Sequence, residues 1–120
     1  MPPRQARPAP RVGAAAKLQA LQRAILTLGF VRPGSLVRRY MPCGNPACRC
    51  MARPPRLHGP YYQWTYKVAG KTTTMRLSAQ QARLCREWLR NHKQLKRLVR
   101  QMEQLSLRET DRALGAISRP

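Results

Sequence analysis

Three cysteines fall within eight residues, Cys43-Gly44-Asn45-Pro46-Ala47-Cys48-Arg49-Cys50, and His58 follows eight residues after the last of them. Thiolates and imidazole are the donors a tetrahedral zinc ion takes, so the four form a candidate Cys3His set for one Zn2+ per chain. Part of the spacing favours this. Gly44 and Pro46 suit a tight turn, and Cys48 and Cys50, two apart in an extended segment, project to one side. The rest is less regular: the paired CxxC knuckles of a zinc ribbon are absent, and Met51 to Leu57, with Pro54-Pro55, must fold back to deliver His58. The competing readings are a disulfide between two of the three cysteines, buried free thiols and, for His58, a plain turn residue before Gly59-Pro60. With no signal peptide the chain is expected to be cytoplasmic, which disfavours a disulfide, and clustered thiols in a charged loop are poor core residues. Cys85 and His92 lie on an apolar helical stripe and are read as packing residues.

The same inventory argues against catalysis. The carboxylates Glu87, Glu103, Glu109 and Asp111 all lie on or after the final helix, so no acidic cluster is placed to hold magnesium for phosphoryl transfer. Tyr61 or Tyr62, near His58, is a nucleophile only within a larger site, and tyrosines on hairpins usually pack. The chain is expected not to be an enzyme.

Charge points to a polyanion. Twenty-four Lys and Arg against four Asp and Glu give a net charge of +20 over 120 residues. No acid precedes Glu87, so the first 86 residues carry 16 cations without an internal partner. Self-repulsion of that size disfavours compactness unless an anion offsets it. Arg outnumbers Lys 19 to 5, which suits phosphate and guanine but is equally what a GC-rich genome would produce. No run has the length of a membrane span, the most apolar being Ala24 to Val31. An organellar transit peptide is the minor reading of the Arg-rich start.

These residues need elements to position them. Residues 1–13, rich in Pro and Arg, read as a disordered basic arm, 14–109 as a single small domain, and 110–120 as a flexible tail. Leu18, Leu21, Ile25 and Leu28 mark an amphipathic helix from Ala14 to Leu28 with Gly29 at its C-cap. Ser35 to Met41 follows a Pro33-Gly34 turn and reads as a strand, and Tyr61 to Val68 with Thr72 to Leu77 as a hairpin across Ala69-Gly70-Lys71. Alternation puts Tyr62, Trp64, Tyr66, Thr73, Met75 and Leu77 on a core face and Gln63, Thr65, Lys67, Thr72, Thr74 and Arg76 opposite. Ser78 and Gln81 form a capping box for a helix running to about Leu107. Its stripe is Cys85, Trp88, His92, Leu95, Val99 and Met102, flanked by Leu84, Leu98 and Leu105. The expected fold is α+β: a small three-stranded antiparallel sheet with a zinc knuckle, flanked by an amino-terminal helix and a long carboxy-terminal one.

The cysteine run, together with Leu57-His58-Gly59-Pro60-Tyr61-Tyr62, the Gly70-Lys71 turn and the closing helix, resembles a family of short uncharacterised prokaryotic proteins often found near transposase or integrase genes. The likeness covers roughly Gly34 to Ser106 and implies a shared fold and metal site, with no established activity. Members of that family commonly have Lys where this chain has Asn45, and a shorter basic arm.

The expected function is nucleic-acid binding, with DNA as partner, accessory to a mobile element. The residues expected at the interface are Arg38, Arg39, Arg49, Lys67, Lys71, Thr72, Thr74 and Arg76. The alternative is a protein-interaction adaptor whose heptad helix pairs with itself, as a homodimer, or with a transposase or integrase, the charge serving only solubility. No membrane partner is expected.

Overall fold

A computed structural model describes residues 11–117. Most of the expected basic arm, and the last three residues of the expected tail, lie outside them. The elements run α1 (Ala14–Leu26), β1 (Ser35–Met41), a 3-10 turn (Arg49–Met51), β2 (His58–Val68), β3 (Lys71–Leu77) and α2 (Ala79–Ala116). This is the expected α+β fold, with a three-stranded antiparallel sheet in the order β1-β2-β3. The chain divides into two compact units, one containing α1 with the part of α2 from Gln94 onward, the other Gly29–Lys93.

The Gly29–Lys93 unit holds the sheet and the start of α2. The hairpin register pairs Tyr62 with Leu77, Trp64 with Met75 and Tyr66 with Thr73, so these residues share one face, as alternation requires. Trp64, Leu77, Ala82 and Cys85 form the core there, with Leu36, Tyr62, Tyr66 and Leu89 packed around them. Trp64 is 4% exposed, and its indole N–H donates to Pro33 O at 3.1 Å. Gly34 makes this fit possible. Its φ of 120° suits glycine, and a Cβ there would strike the Thr65 carbonyl and the indole nitrogen of Trp64. The hairpin turns on two residues, Ala69 (φ 49°) and Gly70 (φ 80°), with Val68 paired to Lys71, so Lys71 belongs to β3 rather than the turn. The capping box forms as read: Ser78 N–H donates to Gln81 Oε1 at 2.9 Å, and Gln81 N–H to Ser78 Oγ at 3.1 Å.

In the other unit Leu18, Leu21 and Ile25 are half-buried along α1, while Leu98 and Leu105 are buried on α2. The buried line on α2 therefore runs through Leu98 and Leu105, with Leu84 and Val99 exposed. Of the expected stripe, Cys85 is buried and Trp88, His92, Leu95 and Met102 are half-buried, so Val99 and the flanking Leu84 are the positions that depart from it. α1 ends at Leu26 rather than Leu28. Thr27 is its C-cap, the backbone N–H donating to Arg23 O, and the Thr27 hydroxyl donates to Ala24 O. α2 runs to Ala116, past the end expected near Leu107, because nothing before Gly115 in that stretch removes a backbone donor or favours a left-handed cap.

Candidate metal centre

β1 and β2 bring the two ends of the donor set together. Arg39 pairs with Tyr61, but Met41 pairs with His58, so the register slips by one residue and Gly59-Pro60 of β2 bulges opposite Tyr40. That slip starts β2 at His58, three residues earlier than expected, and sets His58 beside the point where the chain leaves β1 for Cys43. Gly59 tolerates the crowding: its φ is 146°, and a Cβ would lie 2.8 Å from Arg39 O.

Between Cys43 and Cys50 the backbone turns on Asn45. Its side-chain oxygen accepts from Ala47 N–H and its carbonyl from Cys48 N–H, both at 3.0 Å. The 3-10 turn follows, with Met51 N–H donating to Cys48 O at 3.0 Å, and Arg56 N–H closes the loop onto Arg49 O at 3.2 Å. This loop delivers the histidine that the sequence spacing left hanging.

The ligand atoms of Cys43, Cys48, Cys50 and His58 all lie within 4.8 Å of one another. Cys43 Sγ is 3.6 Å from Cys50 Sγ, and Cys48 Sγ is 3.0 Å from His58 Nε2. Two thiolates on a tetrahedral ion with metal–sulfur bonds of about 2.3 Å stand roughly 3.7 Å apart. The cysteines are free thiols, so the disulfide reading does not hold in this structure. Cys50 is buried, Cys48 and His58 are half-buried and Cys43 is exposed.

The electrostatics favour thiolate at one sulfur. The backbone N–H of Cys50, and then His58, pull the Cys48 thiol down to about 6. Cys50 moves the other way: the N–H of Cys43 at 3.4 Å lowers its pKa, but burial and the neighbouring thiols outweigh that. A cluster in which one thiol is drawn toward ionisation while its buried neighbour resists it has the chemistry of a cation site.

Residues 14–90 match the family described as Domain of unknown function (DUF6788). The chain belongs to that family. The DUF6788 match spans all four donors, the sheet and the capped start of α2. No curated protein and no solved structure matches the chain.

The residues expected at a nucleic-acid interface do not share one surface. Register puts Arg39 with Tyr61, Arg76 with Gln63, Thr74 with Thr65 and Thr72 with Lys67, on the sheet face opposite Trp64. The Arg76 guanidinium lies 4.1 Å from the Tyr61 ring centroid, and the Thr65 and Thr74 hydroxyls are 3.3 Å apart. Arg38 pairs with Tyr62 and so lies on the Trp64 side, where it donates to the Tyr40 hydroxyl. Lys71, paired with Val68, also falls on that side, and Arg49 belongs to the knuckle. Cys85 packs in the core, and burial raises its thiol pKa. Sequence reading assigned none of the α2 cations, among which Arg86, Arg90 and Lys93 recur at i, i+4, i+7 spacing.

Proposed function

We propose that Cys43, Cys48, Cys50 and His58 hold one structural zinc ion, and that the sheet it braces binds nucleic acid, DNA foremost, through the face opposite Trp64. Four convergent donors with no open position make a closed site, whose work is to hold the fold rather than to catalyse. The reading rests chiefly on the register that gathers Arg39, Lys67 and Arg76 with Gln63, Thr65, Thr72 and Thr74 on one face. Cations there meet phosphates, the amide and hydroxyls make adaptable contacts, and Arg76 stacked on Tyr61 stays partly ordered before binding. No carboxylate precedes Glu87 to repel the ligand.

Titration of duplex and single-stranded DNA against salt tests the proposal. A log–log slope of about −4 to −8 is expected if roughly five to nine phosphates are engaged. A flat slope, or no binding at low salt, overturns it.

A second reading, self-association through α2, has one observation behind it: Leu107 and Leu114, seven apart, are 63% and 70% exposed. A dimer that persists at high salt, while DNA binding is absent, would favour it.

A further inference from the structure

Three cations on the first four turns of α2 lie outside the knuckle, one of them at the rim of the core, where the Arg86 guanidinium is 5.2 Å from the Tyr62 ring centroid. Arg86, Arg90 and Lys93 are all exposed, and their spacing puts them on one stripe of the helix. They form one wall of an open cleft of about 500 Å³, with Gly34 and Ser35 opposite and Leu36 and Leu89 at its base. Glu87, the single carboxylate of residues 29–93, does not line it.

The turn at Gly34-Ser35 has a second cleft on its other side. It holds about 400 Å³ and is lined by Thr65, Lys67 and Thr72 of the polar sheet face together with Tyr66. Gly34 and Ser35 line both clefts, so the cations of the sheet face and those of α2 flank the same short stretch of backbone. Arg32, just before that turn, is already engaged, its guanidinium 4.3 Å from the Trp64 ring centroid and 5.0 Å from that of Tyr66. It fixes the turn from the core side rather than adding a mobile charge.

We infer that the Arg86–Arg90–Lys93 cleft is a phosphate-binding track, and that a polynucleotide backbone crosses the Gly34-Ser35 turn from Lys67 and Thr72 to these three cations. Three like charges held close on one helix repel one another, and a chain of phosphodiesters relieves that repulsion while releasing its own counterions. The cleft is lined by three cations and no carboxylate, which suits contact with a phosphate backbone. This inference rests on the nucleic-acid reading above and says where the backbone runs.

The full chain with Arg86, Arg90 and Lys93 all changed to Gln is compared with the parent and with a control in which Lys96, Arg97 and Arg100, also exposed on α2, become Gln. Both variants lose the same charge and keep good helix formers. Thermal melting checks that each is folded, and fluorescence anisotropy with labelled DNA at several salt concentrations reads binding. The cleft variant is expected to bind about tenfold or more weakly, with the salt slope reduced by about two to three, and the control to stay close to the parent. Equal losses in both variants would show a net-charge effect and overturn the track. A cleft variant that binds like the parent, while Lys67→Ala/Arg76→Ala is weakened, overturns the track and leaves the sheet face standing. A parent that binds no DNA at low salt overturns both.

Discussion

Cys43 Sγ stands 3.6 Å from Cys50 Sγ, close to the roughly 3.7 Å between two thiolates of a tetrahedral zinc site and far beyond a disulfide bond of about 2.0 Å. The two sulfurs come from opposite ends of the turn built on Asn45, and Cys43 N–H also donates to Cys50 Sγ. Native protein should therefore carry about one zinc per chain, and chelation should lower its melting temperature, since binding energy is folding energy in a unit this small. Elemental analysis and thermal melting, each before and after chelation, check the two points.

Thiol reactivity gives an independent reading of the same site. In metal-free protein Cys48, held near 6 by the Cys50 N–H and by His58, should be alkylated first at neutral pH, while Cys85, buried against Trp64, should react last. Zinc should protect Cys43, Cys48 and Cys50 together and leave Cys85 unchanged. Peptide mapping after brief alkylation reads the order. Equal reactivity of Cys48 and Cys85 in folded protein would contradict the geometry.

Trp64 is the side chain the sheet can least spare. Trp64→Ala should cost about 3 to 5 kcal/mol, because the cavity opens beneath Tyr66 and Arg32 and strands the Pro33 carbonyl. Denaturant titration measures this, and a loss below about 1 kcal/mol would mean that the core closes without it.

Glu109 gives the unit containing α1 a pH signature. The Arg11 backbone N–H, and after it the Arg112 guanidinium, hold the carboxyl below its ordinary value. A carboxyl depressed in the folded state stabilises above its unfolded pKa of about 4.3 and loses that contribution as pH falls through the lower folded value. Glu109→Gln should thus melt below the parent at neutral pH, and the gap should close in acid. A gap that stays constant with pH would place the effect elsewhere.

Much of this was legible because period-2 alternation needs no distant information. It assigned Trp64 inward and Arg76 outward, and β1 begins and ends where its β-formers do. Local rules failed where a partner decides. Gly59-Pro60 reads as a strand breaker, yet the bulge opposite Tyr40 lets β2 start at His58 and so delivers the fourth donor. Alternation sets Arg38 and Arg39 on opposite faces, but only the register with Tyr62 and Tyr61 shows that Arg38 is the one on the Trp64 side. On α2 a seven-residue count drifts from the 3.6-residue turn, so Val99, expected on the stripe, is exposed while Leu98, expected beside it, is buried.

The most direct test of the account is DNA affinity across salt for Lys67→Ala/Arg76→Ala beside the parent. Both residues lie on the face away from Trp64 and are exposed, so melting should be nearly unchanged. Binding should weaken, and the slope should fall by about one for each phosphate that the protein no longer neutralises. Parent-like affinity and slope in the double variant, with binding abolished by removal of residues 1–12, would place the interface in the amino-terminal arm and contradict the sheet-face assignment.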